Sequence, residues 1–369
     1  MLHLLALAAA LPSGKRLLLD DRVVNSTLDL VLVPGSVAKD PRNPVLSDAN
    51  PSQAKAWEIR YDNMNPSVYW DQGRYRMWYF SFTQCDSANS TRGTSADTCS
   101  TKGFWPCSGV AAATTGPKGR TGAAMYAESR DGFVWTKPAL GIVKDSSTTQ
   151  NRTGFAANNI FLLSDGGAGM LIDKHSDPAQ RYKIFGQLNA AGGHEHSKAL
   201  GTSSDGVHFS ASNFSGSSKL LAAHGTHNNA VYDPVSKRYF GFGRISNSPF
   251  RQESVAVSAT EDYLGPWKPA VRCGLEKGED AEYQPDALVV FPEPIGGVYL
   301  GFVNMLNVTN NDRGIPGGPG LADVELAWSP DLLRWKYVKH GKRCLERRPL
   351  RRPLPSPPRP PTTRPRRRF

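Results

Sequence analysis

The sequence predicts an all-β fold: a five-bladed β-propeller with four-stranded blades, in which the fifth blade is truncated. Two observations lead to this prediction. Turn signals recur at short intervals while no stretch sustains a helical period. A strand-turn-strand unit also appears four times between residues 65 and 338, and self-similarity of this kind is typical of repeat architectures.

The repeated turn unit consists of a short strand, a Ser-x-Asp turn or a variant of it, and an aromatic residue that opens the next strand. An Asp in a tight turn can accept hydrogen bonds from the amides that follow it. The aromatic ring can fill the space between two sheets. Asp131, Asp205 and Asp331 are therefore predicted to be structural. The four copies are YAESRDGFVW (126–135), LGTSSDGVHF (200–209), VAVSATEDYLGPW (255–267) and LAWSPDLLRW (326–335).

Two further elements precede each turn unit and complete a blade of four strands. The predicted first strands are NPSVYWD (65–71), NNIFLLSD (158–165), NNAVYDP (228–234) and QPDALVVFP (284–292). The predicted second strands are RYRMWYFSF (74–82), RYKIFGQL (181–188), RYFGFGRI (238–245) and GVYLGFVNML (297–306). One blade cannot bury its faces alone, so neighbours in a ring must cover them. A lone strand at 28–33 (LDLVLV) is expected to complete the last blade.

The ends of the chain differ in composition from the predicted propeller domain at 21–341. Residues 1–10 carry a short apolar run with small residues at positions 8 and 10, which predicts a signal peptide. A start-site artefact or a buried N-terminal strand is the alternative. Five N-x-S/T sequons and a crowded Cys85–Cys107 loop also favour a secreted or endomembrane protein, and a disulfide within that loop is expected there.

The region 342–369 is predicted to be a tail outside the propeller. Residues 347–369 hold nine Arg and eight Pro, a composition that cannot form sheet. The tail is either a disordered basic segment or the product of a wrong reading frame or unspliced intron. It contributes +9 of the net charge of +11, so the rest of the chain is nearly neutral. A nucleic-acid-binding surface is therefore not expected on the folded part.

Several of these segments together resemble the five-bladed propellers of glycoside hydrolase families 32 and 43 and their uncharacterised family 32-like relatives. The matching pieces include NPSVYWDQGRYRMWY, YAESRDGFVWTKPALG and THNNAVYDPVSKRYFGFGR, and the resemblance covers roughly residues 57–340. It implies a carbohydrate-active protein. The motifs also depart from the family: Asn65 stands where the first family box has its Asp, and the Arg-Asp-Pro and Glu-Cys boxes are absent, with Glu282 and Tyr283 at the latter position.

The candidate site follows from propeller geometry, because the first strand of each blade lines the central channel. Cleavage of a glycosidic bond needs two carboxyl groups about 5–10 Å apart. We predict Asp62 as nucleophile or base and Glu282 as acid; the alternative is that Asp62 caps a turn and Glu282 is solvated. The predicted substrate-binding residues are Trp57, Asn65, Asn159, His227, Asn229 and Asp286.

No cofactor or metal is predicted. His194 and His196 flank Glu195 in a Gly-rich loop, but no third ligand is identifiable, which favours a polar loop or a substrate contact. The predicted partner is a carbohydrate, with no nucleic acid and no stable membrane span. The oligomeric state is not indicated.

Three functions fit these residues. The first is a secreted glycosidase that uses paired carboxylates. The second is a non-catalytic propeller that binds glycan or protein, which Asn65 favours. The third is a sialidase-like enzyme, suggested by the Ser-x-Asp turns; it ranks last because the predicted strand starts at the pocket lack the Arg cluster that such enzymes need.

Overall fold

The computed structural model describes twelve stretches of the chain and the single residues Leu17, Leu19 and Lys55. The stretches are 37–47, 57–58, 66–82, 122–143, 157–164, 168–187, 198–209, 214–216, 228–245, 252–275, 283–307 and 322–338. Several predictions lie outside these residues: the signal peptide at 1–10, the strand at 28–33, the Cys85–Cys107 loop, the His194–His196 cluster and the tail at 342–369. Within the described residues, no helix has the length and apolar character needed to cross a membrane.

The described residues form a propeller of four antiparallel sheets, each with four strands that follow one another along the chain. The first two sheets contain β1 (Ser67–Asp71), β2 (Arg74–Phe82), β3 (Gly122–Ser129) and β4 (Ile160–Ser164), then β5 (Ala168–Ile172), β6 (Tyr182–Gln187), β7 (Lys198–Ser203) and β8 (Phe214–Gly216). The other two contain β9 (Asn229–Asp233), β10 (Arg238–Ile245), β11 (Gln252–Val257) and β12 (Val271–Arg272), then β13 (Tyr283–Val290), β14 (Tyr299–Asn307), β15 (Ala322–Ser329) and β16 (Lys336–Tyr337). The all-β propeller prediction is confirmed.

One strand assignment from the sequence is wrong. The repeat predicts that the segment 158–165 begins the second blade, but β4 pairs with β3 and is the outermost strand of the first sheet. The innermost strand of the second sheet is β5, which pairs with β6 from Ile172 opposite Tyr182. The reason is the hairpin: the first strand of a blade must end directly before the turn that leads to the second strand, and only 168–172 does so.

Apolar side chains between neighbouring sheets form three separate cores. Trp78 and Tyr126 of the first sheet pack against Met170 and Tyr182 of the second. Between the second and third sheets the core includes Phe185, Tyr239 and Trp267. Between the third and fourth it includes Phe242, Val303 and Trp335. Burial of this surface is the main stabilising contribution to the arrangement.

The predicted turn unit has the expected hydrogen bonds in three of its four copies. At the first copy, the Asp131 carboxylate accepts from the amides of Phe133 and Val134 at 2.8 and 2.9 Å, and the Ser129 hydroxyl contacts the same carboxylate at 3.0 Å. The turns at Asp205 and Asp331 repeat this pattern. The third sheet uses a variant, in which the Asp262 carboxylate accepts from the Leu264 amide. These carboxylates are structural, as predicted.

A second repeated contact joins each sheet to the next. The Asp at the end of an innermost strand accepts a hydrogen bond from the Tyr that begins the second strand of the following sheet. The three pairs are Tyr182 to Asp71 at 2.6 Å, Tyr239 to Asp173 at 2.5 Å and Tyr299 to Asp233 at 2.7 Å. Burial alone raises the pKa of Asp71, but hydrogen bonds from Tyr182 and Arg181 outweigh burial and lower it.

Candidate functional site

A small pocket lies where the innermost strands of the first, third and fourth sheets approach one another. It is lined by Pro66, Ser67, Asn228, Asn229 and the run Ala287–Val289. Its volume of about 10 Å³ leaves room for roughly one water molecule. We call these residues the floor, and the pocket that they line is too small for a sugar.

Side chains and backbone around this floor hold the strands together. The Ser67 hydroxyl accepts a hydrogen bond from the Met170 amide at 3.0 Å, which joins the first sheet to the second. The Asn229 side-chain oxygen accepts from the Val290 amide at 3.1 Å, which joins the third to the fourth. The floor is thus built from polar bonds between sheets, which fixes the relative positions of the strand starts.

Gly169 allows the second and third sheets to come close beside the floor. A Cβ atom at this position would lie 2.4 Å from the Asn228 carbonyl oxygen and 2.7 Å from the Asn229 Cα. Both neighbours are backbone atoms, which cannot rotate away. The absence of a side chain at Gly169 is therefore what lets β5 and β9 pack at this distance.

Three of the predicted site residues are chain neighbours of the pocket lining. Asn65 directly precedes Pro66, His227 precedes Asn228, and Asp286 precedes Ala287. Asp286 lies at a β-bulge of β13, where the pairing with β14 shifts between Pro285 and Ala287. Asp62, Asn65, His227 and Glu282 lie outside the described residues, and their roles remain predictions.

Asn229 is the one predicted site residue whose side chain the structure describes at the pocket. It is 8% exposed, and its side-chain oxygen is engaged by the Val290 amide. Its contribution to the floor is therefore a strand-to-strand bond. Contact with substrate at this position remains a prediction.

Trp57 and Asn159 lie in a buried network of the first sheet rather than at the channel floor. Trp57 is 5% exposed, and its indole nitrogen donates to the Asn159 side-chain oxygen at 2.9 Å. The Asn159 amide nitrogen donates to the Tyr79 hydroxyl and the Tyr126 carbonyl, both at 2.8 Å. A ring buried in this way presents no face for stacking on a sugar. The sequence analysis assigned 158–165 to an innermost strand and therefore predicted Asn159 at the channel. The strand that follows Asn159, β4, is instead the outermost strand of the first sheet.

The structure also brings together buried acidic residues that the sequence did not single out. Glu253 of β11 and Glu325 of β15 are 3% and 6% exposed and lie between the third and fourth sheets near Tyr337. Burial raises the pKa of Tyr337, and Glu325, Cys273 and Glu253 raise it further. Glu253 lies two residues before the buried Val255, and Glu325 lies two residues before the buried Ala327, so each shares a strand face with a buried apolar residue, which is the signal that sequence reading could have used. Among the described residues, no three acidic, His or Cys side chains form a metal-binding group.

Comparison with known proteins yields similarity of fold only. No family model matches the chain, and no curated protein matches it significantly in sequence. A glycosyl hydrolase from Bacteroides ovatus is 15% identical with a TM-score of 0.45, covering 82% of this chain and 79% of that one. An endo-1,5-alpha-L-arabinanase from Thermotoga petrophila is 11% identical with a TM-score of 0.45, covering 79% and 63%.

A further solved structure was determined with a carbohydrate bound. It is an N-acetylgalactosamine deacetylase from F. plautii in complex with blood group B trisaccharide, 14% identical with a TM-score of 0.44, covering 76% of this chain and 70% of that one. At these identities the similarity concerns the path of the chain and leaves the reaction open.

Proposed function

We propose that the protein is a carbohydrate-active propeller, and specifically a glycoside hydrolase that works through Asp62 and Glu282 at the mouth of the channel. The observation that carries the proposal is the convergence of the innermost strands of three sheets on one floor. Pro66, Asn228 and Ala287 line the same pocket, and each follows a residue that the sequence nominates for the site.

The proposed chemistry needs one carboxylic acid and one carboxylate on opposite sides of the scissile bond. Glu282 as acid gives a proton to the glycosidic oxygen while the bond to the anomeric carbon breaks. Asp62 either attacks that carbon or takes a proton from the attacking water. The departing sugar carries the proton from Glu282. If Asp62 has attacked, the ionised Glu282 then takes a proton from water, whose oxygen displaces Asp62 from the anomeric carbon; if Asp62 acts as base, the water attacks that carbon directly. In both cases water supplies the hydroxyl of the new reducing end. His227 and Asp286 are proposed to bind hydroxyl groups of the sugar.

A non-catalytic role in glycan binding is the second candidate. It is favoured by Asn65, because an amide stands where the resembling family has a carboxylate. An amide can donate to and accept from a sugar hydroxyl but cannot act as nucleophile or general base. Under this alternative the same mouth would bind carbohydrate without turnover.

The decisive experiment is a screen of the full chain against aryl-glycosides and oligosaccharides, each with and without inorganic phosphate. Hydrolysis that falls by at least about 10²-fold in both Asp62→Asn and Glu282→Gln supports the hydrolase. Turnover that appears only with phosphate indicates a phosphorylase instead. Binding without turnover in a glycan array supports the second candidate.

A control separates loss of chemistry from loss of fold. Asp177 caps a short 3-10 helix, Pro178–Gln180, on an exposed hairpin, so Asp177→Asn removes an acidic side chain away from the channel floor. Activity in this variant is expected to match the native chain. Full activity in both Asp62→Asn and Glu282→Gln would overturn the assignment of these carboxylates.

A further inference from the structure

One aromatic side chain of the first sheet is largely exposed at a position that is buried in the second sheet. Trp70 on β1 and Ile172 on β5 hold equivalent positions, because each pairs with a Tyr of the following strand. Trp70 is 58% exposed, whereas Ile172 is 8% exposed and packs in the core between the two sheets. Val68 lies two residues before Trp70 on the same face and is 45% exposed. The strand β1 therefore presents an exposed indole ring beside a second apolar side chain.

Trp70 is positioned by one neighbouring ring. Tyr75 is its cross-strand partner, and the two rings pack edge-to-face with their centroids 4.8 Å apart. The Tyr75 ring in turn lies against Gly132 of the Asp131 turn, where a Cβ atom would be 3.5 Å from the Tyr75 Cε2. Because hydrogen bonds to the Asp131 carboxylate fix this turn, the ring pair is held in place before any ligand binds. We call Val68, Trp70 and Tyr75 the Trp70 patch.

The Trp70 patch also carries polar groups with unused hydrogen-bonding capacity. In the part of the chain that the structure describes, neither the indole nitrogen of Trp70 nor the hydroxyl of Tyr75 makes a hydrogen bond. The equivalent hydroxyls of Tyr182 and Tyr239 each donate to an acid of the preceding sheet. An indole N–H is a donor, and a phenol both donates and accepts. The patch therefore offers an aromatic surface with hydrogen-bonding groups at its edge.

This combination defines the chemistry of a ligand. A sugar ring has faces made largely of C–H groups, which pack on an aromatic ring, and hydroxyls at its edge, which need donors and acceptors. Met77 lies opposite Val68 on the same face, and neither it nor any member of the patch carries a charge at neutral pH. An uncharged saccharide is therefore favoured over a sugar acid or a phosphate.

The size of the patch favours a small ligand over a protein partner. A whole Trp residue presents no more than about 250 Å². Each partner in a stable protein complex buries about 800 Å². In the described strands of the first sheet, Val68 and Trp70 are the only large apolar side chains that are exposed. The patch has the area for one or two sugar rings and falls well short of a protein interface.

We propose that Trp70 and Tyr75 form a second carbohydrate-binding site, which takes a ring of a neutral saccharide and performs no chemistry. Trp70 lies three residues after Ser67 of the floor, which is about 10 Å along β1. Asp62 and Glu282 precede β1 and β13, so they lie on the other side of the floor residue along each strand. The inference rests on the proposed carbohydrate-active function for its class of ligand, and it does not require the hydrolytic step.

NMR of the full chain with ¹⁵N-labelled Trp tests the site directly. The indole N–H signal of Trp70 is assigned by its absence in Trp70→Phe. The titrants are oligosaccharides of arabinan, mannan and β-glucan at millimolar concentration, and at least one is expected to shift this signal. The double variant Asp62→Asn, Glu282→Gln receives the same titration, so that hydrolysis cannot consume the ligand. Oligogalacturonate is the charged comparison and should give no shift.

Two variants and a matched control measure what each group contributes to the dissociation constant. Trp70→Ala, followed by calorimetry, should raise Kd at this site by about 10-fold or more, since an aromatic contact is lost. Tyr75→Phe should raise it by about 3-fold through loss of one hydroxyl. Phe302→Ala is the control and should leave Kd unchanged. Phe302 is 37% exposed and packs edge-to-face on Phe291, so it matches the ring pair but has no polar group.

Four results would overturn the proposal. The first is a Trp70 signal that none of the neutral oligosaccharides moves. The second is an equal shift with oligogalacturonate, and the third is an equal rise in Kd in Phe302→Ala. The fourth is a Trp70 signal that shifts on dilution of the protein without saccharide, because a second copy of the chain would then cover the ring.

The same measurements separate this site from the proposed hydrolase. A saccharide-dependent Trp70 shift in a chain that hydrolyses no saccharide would support the second site and remove the hydrolase. Hydrolysis by a chain whose Trp70 signal never moves would remove the second site and leave the hydrolase standing.

Discussion

Trp70 and Trp78 belong to the same hairpin of the first sheet, yet their surroundings are opposite. Trp78 on β2 is 2% exposed and packs with Tyr126 and Tyr182, while Trp70 on β1 is 58% exposed. The two residues share a hairpin and a residue type, so the difference in exposure comes from what lies next to each side chain. Trp78 faces the second sheet, whereas Trp70 lies on the other face of the hairpin and most of its ring is exposed. Burial in this molecule is thus decided by which side of a sheet has a neighbour.

The largest expected effect tests this contrast with two matched substitutions. Trp78→Ala should lower the free energy of unfolding by about 3 to 5 kcal/mol, because it leaves a large cavity between two sheets. Trp70→Ala should change it by less than about 1 kcal/mol, since most of the ring is already in contact with water. Chemical denaturation of both variants gives the two values. Similar losses in both would contradict the contrast.

The next effect concerns the close approach of β5 and β9. Gly169→Ala should destabilise the protein by about 3 kcal/mol, because the added Cβ meets backbone atoms that cannot move without separating the sheets. Ser67→Ala is the comparison at the same floor: it removes one hydrogen bond, to the Met170 amide, at about 1 kcal/mol. If Gly169→Ala is tolerated as well as Ser67→Ala, the sheets are not tightly fitted at the axis.

A smaller effect is expected for Tyr→Phe substitutions, compared between a Tyr that bonds to a neighbouring sheet and a Tyr that does not. Tyr239→Phe removes a hydrogen bond to the buried Asp173 carboxylate, which should lower stability by about 2 kcal/mol. Tyr75→Phe should have an effect near zero. Urea unfolding midpoints measure both, with the slope of the transition checked for constancy. A loss at Tyr75 equal to that at Tyr239 would mean that a partner meets Tyr75 in solution.

The smallest effect is the acid dependence of one turn. Burial alone raises the pKa of Asp205. Hydrogen bonds from the backbone amides of His208 and Val207 and from the His208 ring outweigh burial and lower this pKa to about 2. A carboxyl group whose pKa is lower in the folded than in the unfolded state stabilises the protein at pH values above the unfolded pKa, which is roughly 3.9 for Asp. That contribution is lost as the pH falls toward 2. Thermal melts between about pH 4 and pH 2 should show a shallower loss for Asp205→Asn than for the native chain, and parallel curves would contradict this.

Much of the fold could be predicted because the turn unit is local. The Ser and Asp of each turn bond to amides two or three residues away, so sequence spacing alone specifies the geometry. The error at 158–165 arose because two strands share an Asn-Asn start and differ only in the residues after it. Asp173 and Tyr182, which close the hairpin of the second sheet, held the missing information, because they fix β5 as its innermost strand.

The candidate site could be predicted less well, because it depends on contacts between sheets. Nothing local to Trp57 or Asn159 indicates that the two side chains bond to each other over 102 residues. The acids Glu253 and Glu325 both lie near Tyr337 only because the third and fourth sheets pack together. The innermost strands of the first, third and fourth sheets were predictable, since the repeat places them first in their blades, but the side chains that line the floor were not.

The repeated Tyr-to-Asp bond between sheets has an evolutionary consequence. The second and third sheets each carry the hydroxyl that bonds to the preceding sheet and the carboxylate that bonds to the following one, as Tyr239 and Asp233 of the third sheet illustrate. A duplicated sheet would therefore arrive with both connectors already compatible with its neighbours. The number of units in such a ring can change by gene duplication or deletion without the invention of a new interface.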